Sequence, residues 1–153
     1  MRSLILGLFL VLGIGMVMGC QKSAKVDQLG GNAGIARDYL MKQGYEIISY
    51  NGSLTPYKLT SDLLETTPYR MFWTLPGNDP DPYLDQMIHI EQFIVRNHPL
   101  DHYQANGLKG LGKTTVSVYM SSGAVIGGNA FPVVKDSGIA GGYFGLNGEE
   151  WQE

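Results

Sequence analysis

Gly107-Leu108-Lys109-Gly110-Leu111-Gly112-Lys113-Thr114 spells a glycine, four residues and Gly-Lys-Thr, the spacing with which a phosphate-binding loop cradles a nucleotide. That chemistry needs a buried strand before the loop and a helix after it, because backbone amides and the helix N-terminus must converge on the anion. Upstream stands Asn97-His98-Pro99-Leu100-Asp101-His102, which is no apolar strand, and 115–120 alternates with period two as a strand does. A glycine-rich loop leading into a strand is the expectation, with no nucleotide bound. His98, Asp101 and His102 gather two imidazoles and a carboxylate in five residues, a donor set that suits zinc or another divalent ion. Pro99 argues against a regular helix there, so the spacing does not imply a shared face; the other reading is loop histidines paired with Asp101 or solvent. Asn78-Asp79-Pro80-Asp81-Pro82-Tyr83-Leu84-Asp85 offers closely spaced oxygens to a hard cation but lacks the spacing and terminal glutamate of an EF-hand, and its prolines make it a rigid turn first.

Covalent hydrolysis has less to work with. There is no Gly-x-Ser-x-Gly elbow and no histidine that the sequence pairs with a serine. Glu149 and Glu150 could in principle serve as paired acids, but they sit near the chain end. Tyr69, Phe72, Trp73, Tyr143 and Phe144 could line a ligand groove, and aromatics at this density also build cores. No cofactor is expected.

Cys20, the single cysteine among 153 residues, ends Val17-Met18-Gly19-Cys20 behind an apolar run from Leu4 to Val17 and a basic Arg2. These are the parts of an export signal, and about 14 apolar residues are too few to span a bilayer comfortably. The tetrapeptide resembles the lipobox of bacterial lipoproteins. That resemblance implies cleavage before Cys20 and a diacylglyceryl thioether on its sulfur, with residues 1–19 removed and the protein held on the extracytoplasmic face of the cell membrane. Two buried acyl chains suffice for stable attachment at about 0.8 kcal/mol per methylene. The alternatives are an ordinary signal peptide or an uncleaved anchor.

Removal of 1–19 would leave 10 basic residues against 14 acids, a formal charge near −4. That balance argues against nucleic acid, which wants a basic face. With no second cysteine, stability must come from an ordinary core. The 21 glycines and 7 prolines point to many turns, and an α+β class with short strands fits better than a helical bundle.

The elements follow from periodicity. Residues 20–31 read as a lipidated cysteine and flexible tether, and 32–153 as one domain. Asn32 is the expected N-cap of a helix carrying Ala33, Ile35, Ala36, Tyr39 and Leu40 on one face, with Gly44 as its stop. A strand over 45–50 closes on Asn51-Gly52, and a second short strand spans 54–59. A helical turn opens at Ser61, and Pro68 interrupts it. The region 87–95 is the best long strand, with Ile88, Ile90 and Ile94 on one face and His89, Glu91 and Phe93 on the other. Val116, Val118 and Met120 alternate with Thr115, Ser117 and Tyr119, and Ser121-Ser122-Gly123 turns the chain into 124–134 as a C-terminal hairpin. Gly127-Gly128 marks a bulge or close backbone approach, and 141–146 reads as a last short strand.

Asp38-Tyr39-Leu40 with Gly44-Tyr45-Glu46-Ile47, Phe93-Ile94-Val95 with Asn97-His98-Pro99-Leu100, and Gly123-Ala124-Val125-Ile126-Gly127-Gly128 together resemble lipoproteins of Gram-positive bacteria that carry domain of unknown function 4830. The resemblance covers 33–148 and implies a small α+β domain with no assigned activity. The expected whole is an N-terminal helix packed on an antiparallel sheet ending in the hairpin, in a ligand-binding or protein-interaction module that meets the membrane through Cys20 and partners in the envelope. The competing class is an envelope enzyme or metal protein built on His98, Asp101 and His102, with Glu91 converging on them.

Overall fold

Period-two alternation between Met87 and Arg96 sets the plan of the molecule. His89, Glu91, Phe93 and Val95 lie on one face, and Ile88, Ile90, Gln92 and Ile94 on the other. Buried residues occur on both faces, so the strand needs cover on both sides. A computed structural model, describing residues 26–105, 107–135 and 142–151, shows how it is covered. Cys20, the expected leader 1–19 and the start of the expected tether lie outside the described residues.

The elements run α1 (Gly31–Lys42), β1 (Glu46–Lys58), α2 (Ser61–Leu64), α3 (Tyr69–Trp73), β2 (Met87–Arg96), β3 (Gln104–Ala105), β4 (Leu108–Ser121), β5 (Ala124–Val134) and β6 (Phe144–Gly145). The sheet is antiparallel in the order β1-β2-β4-β5-β6, and β3 pairs with the start of β4. On the first face Ala36 and Leu40 of α1 share a core with Phe93, Val95, Val116, Val118, Met120 and Ala130. On the second, the connection from β1 to β2 lays Leu59 and Trp73 against Ile88, Tyr119 and Ile126. The α+β class is the observed one, with the sheet covered on both faces rather than one.

Several local expectations are corrected. Gly30, with extended backbone, occupies the N-cap of α1; Asn32 falls in the first turn, and no side chain caps the helix. Ala33, Ala36 and Leu40 are buried, whereas Ile35 is 42% exposed. The C-terminal stop holds: Gly44 adopts φ +88°, its N–H donates to Met41 O and the Tyr45 N–H to Leu40 O, a Schellman closure. The last residues of the expected tether are ordered against the domain. Val26–Gln28 forms a 3₁₀ turn, Arg37 Nη1 donates to Val26 O at 3.0 Å, and Leu29 packs on the core.

Asn51-Gly52 is not a hairpin turn. β1 continues through it for 13 residues opposite β2, from Glu46↔Arg96 to Lys58↔Met87, and the register shifts between Tyr50 and Gly52. The segments 45–50 and 54–59 are therefore one bulged strand. Glu91 Oε2 accepts from Tyr50 Oη at 2.6 Å and from Ser53 Oγ at 2.8 Å. Both sides of the bulge are thus pinned to one carboxylate of β2, and a long partner strand overrides the local turn preference.

The β4–β5 hairpin forms as expected, with Ser122 at φ +49° and Gly123 at φ +75° matching a two-residue type I′ turn. The register shifts where Gly127 pairs Tyr119, and a Cβ on Gly128 would lie 2.3 Å from Ser117 O. The hairpin is followed by β6, which pairs with Asn129 and Ala130.

Candidate functional site

His98 and Asp101 are brought together, but as structure. Both are buried, at 2% and 5% exposure, while His102 is exposed. His98 Nδ1 accepts the Leu100 N–H at 3.1 Å, so the ring carries its proton on Nε2, which donates to Leu146 O at 3.1 Å. Asp101 Oδ2 accepts the His98 backbone N–H at 3.2 Å and Oδ1 accepts Thr114 Oγ1 at 2.7 Å. Both ring nitrogens are spent, and burial lowers the His98 pKa from 6.5 against the opposing pull of Leu146 O and Asp101. Glu91 faces Tyr50 and Ser53 instead. Among the described residues no three His, Cys, Asp or Glu side chains gather closely enough to hold a metal ion.

All but Gly107 of the phosphate-loop spelling lies inside β4, so the expected loop is itself strand, and β4 runs on into its hairpin with β5 rather than into a helix. Gly110 answers to packing, since a Cβ there would sit 2.7 Å from Asp101 O, and its N–H donates to Tyr103 O at 2.8 Å, whereas Gly107 and Gly112 answer to backbone at φ +75° and +69°. The acidic turn is likewise occupied by its own chain. Asp79 Oδ1 accepts the Asp81 N–H at 3.2 Å, and Asp85 pairs with Lys58 at 2.8 Å on the surface. Glu149 and Glu150 are exposed beside a depression that also touches Trp151.

A cleft of about 470 Å³ opens on the second sheet face, beside the patch that Trp73 covers. Tyr69 and Phe72 of α3 form one wall, with Leu54, Thr55 and Tyr57 of β1 on the other side and Phe131 of β5 closing the end. Of the aromatics singled out from sequence, Tyr69 and Phe72 line it. Trp73 is buried core, tilted against Tyr119 at 5.5 Å, with Nε1 donating to Tyr57 Oη at 2.9 Å. Tyr143 stacks edge-on against Phe72 and Phe131 from behind, and Phe144 belongs to the other face.

The floor of the cleft is polar. Gln92 of β2, Ser117 of β4 and Asn129 of β5 are directly paired across the strands and form one row, with Ile90 and Tyr119 in the next. Ser117, Tyr119 and Asn129 are buried. Gln92 Nε2 donates to Ser117 Oγ at 3.4 Å and Asn129 Nδ2 donates to Tyr119 Oη. Burial pushes the Tyr57 phenol up to about 12, with neighbouring Tyr69 adding and the Trp73 hydrogen bond opposing; burial also raises Tyr119. The environment therefore disfavours charge. A second depression of about 390 Å³ lies beside the end of α1, but Ile126 and Leu146 are its buried lining, and among the described residues no buried polar group faces it.

Sequence reasoning named the roof and missed the floor. Asn78, read as part of an acidic turn, fixes the roof in place: its Nδ2 donates to Phe72 O at 2.6 Å and to Gly128 O at 3.0 Å. The available signal was Gln92 among Ile88, Ile90 and Ile94 on one strand face; Ser117, between Thr115 and Tyr119, gave none. The chain matches no protein-family model, and no curated protein or solved structure is similar to it; the likeness to the lipoproteins noted above rests on the residues quoted for it.

Proposed function

We propose that this chain is a lipid-anchored extracytoplasmic binding protein that takes a small uncharged ligand in the cleft over Gln92, Ser117 and Asn129. The observation that carries the reading is the cleft's construction: apolar and aromatic walls over a polar row in which Ser117 and Asn129 are buried and Gln92 half-buried, at a volume inside the ~300–1,000 Å³ usual for small-molecule sites. Its lining among the described residues is hydroxyl, amide and hydrocarbon, without carboxylate, imidazole or ammonium. Such a lining orients a ligand and supplies no acid–base pair, which favours binding over catalysis. The envelope location rests on Cys20 and the apolar run before it. Envelope protein partners would meet the exposed surface around this site.

Two measurements test the reading. Thermal unfolding of the full chain with neutral sugars, amides and phenols, and with nucleotides and divalent metals as counterparts, should show stabilisation by a neutral compound alone. A neutral ligand at one hundred times its Kd adds about 2.7 kcal/mol; stabilisation by zinc or ATP and not by neutral compounds would overturn it. Cys20→Ala should abolish partitioning into the detergent phase, and equal partitioning of variant and wild type would refute the anchor.

A further inference from the structure

The hydroxyls at the cleft floor are all engaged in the same sense. Tyr57 Oη accepts from Trp73 Nε1, Tyr119 Oη from Asn129 Nδ2, and Ser117 Oγ from Gln92 Nε2. Each hydroxyl still has its own O–H to give, and none is spent on another group among the described residues. Asn129 Oδ1, the carbonyl end of the same amide, accepts nothing among the described residues. The floor thus presents O–H donors beside one amide acceptor. Ser117 and Asn129 are direct cross-strand neighbours, about 5 Å apart at Cβ, and Tyr119 lies one row along the same face, about 7 Å away. The bond from Asn129 Nδ2 to Tyr119 Oη brings the phenol back over this pair, so the Ser117 and Tyr119 hydroxyls both lie beside the one amide.

We propose that the cleft recognises an uncharged amide or acetamido group, its carbonyl oxygen taking the hydroxyls of Ser117 and Tyr119 and its N–H meeting Asn129 Oδ1, with the apolar or ring body against Phe72 and Phe131. This rests on the reading of the cleft as the ligand site. The complement follows from valence. A carbonyl oxygen offers two lone pairs to the O–H donors, and the adjacent N–H supplies the one donor the acceptor needs. An ester or ether lacks that N–H. A carboxylate lacks it and also brings a charge into a site with no cation to meet it, where burial makes charge costly. The same group occurs on N-acetylated sugars and in peptide bonds, and the two sources differ only in the body it carries.

The test uses the full chain in lipid nanodiscs, with binding followed by calorimetry and by the side-chain amide resonance of Asn129. The probes are N,N′-diacetylchitobiose with cellobiose as its acetamide-free counterpart, and N-acetylphenylalanine amide with 2-phenylethanol as its counterpart. One amide probe is expected to bind at least tenfold more tightly than its counterpart and to shift the Asn129 signal; which one does so identifies the source as sugar or peptide. Ser117→Ala and Tyr119→Phe should each weaken that probe about 3- to 10-fold while leaving the counterpart unchanged, and their unfolding midpoints establish that both variants fold. Counterparts that shift Asn129 as strongly as the amide probes would overturn the amide proposal and leave the cleft as the ligand site. No probe perturbing Asn129 would overturn both.

Discussion

Asn78 and Gly128, 50 residues apart, exchange hydrogen bonds in both directions: the Gly128 N–H donates to Asn78 Oδ1 at 2.8 Å and Asn78 Nδ2 donates to Gly128 O at 3.0 Å. One side-chain amide thereby imitates a strand partner at the bulge in β5 and, through Phe72 O, holds the wall of the cleft. Asn78→Ala removes all three bonds and leaves half-buried backbone groups unpaired, so it should cost about 2–4 kcal/mol. Thermal unfolding would then shift down by roughly 6–15 °C. Asn78→Asp keeps the acceptor but turns a carboxylate oxygen toward the Phe72 and Gly128 carbonyls, so at neutral pH its midpoint should fall at least as far as that of Asn78→Ala.

His98 links stability to pH. Burial lowers its pKa in the folded state below 6.5, so as pH falls through that value the unfolded chain takes up the proton first. Stability is full above about pH 6.5 and is lost as pH drops toward the lowered folded value. Protonation would also force a second N–H against the Leu100 N–H that Nδ1 now accepts. Urea unfolding of wild type at pH 7.5 and pH 5 should show the loss. His98→Asn, whose carbonyl can still take the Leu100 N–H, should show a smaller difference between the two pH values.

Gly110 packs against the 3₁₀ turn Pro99–His102, where a Cβ would meet Asp101 O at 2.7 Å and Tyr103 N at 3.2 Å. Both are backbone atoms and cannot swing aside. Gly110→Ala should destabilise by about 1–3 kcal/mol, the ordinary cost of overpacking, whereas Lys113→Ala in the same glycine-rich stretch should stay within about 0.5 kcal/mol. Chemical denaturation distinguishes a packing role from a phosphate-binding one, in which the lysine would matter to ligand and the glycine less to fold.

Tyr119→Phe takes the acceptor away from Asn129 Nδ2 in the buried floor. An unpaired buried amide N–H costs about 1–3 kcal/mol. Adding Asn129→Leu removes the orphaned group as well, and the double variant should recover at least half of the loss. If the two losses simply add in a double-mutant cycle, the pair is not coupled as described.

What could be read from the residues was whatever depends on neighbours in sequence. The alternation at 87–95, the turn at Ser122-Gly123 and the stop at Gly44 are settled by local sterics and local periodicity, and each appears where expected. Asn51-Gly52 is as strong a turn signal as any of these, but its outcome was decided by Glu91, 40 residues away, which grips both Tyr50 and Ser53. The cleft floor was hidden for the same reason: Gln92, Ser117 and Asn129 become one row only when the register of three strands is fixed. Tyr69, Phe72 and Trp73 were legible as a group, yet which of them line the cleft depends on Trp73 reaching Tyr57. The structural role of His98 was within reach, since Asp101 stands three residues on, at capping-box spacing.

The docking of Val26 against Arg37 sets where the folded part begins. Were Cys20 to carry the lipid proposed above, six backbone steps would separate the acyl chains from the first docked residue, and a chain of that length reaches at most about 20 Å. An anchored domain would then be on a short leash. Its catchment would be the thin layer next to the bilayer, and whatever it captured would have to come down to the membrane surface to be met.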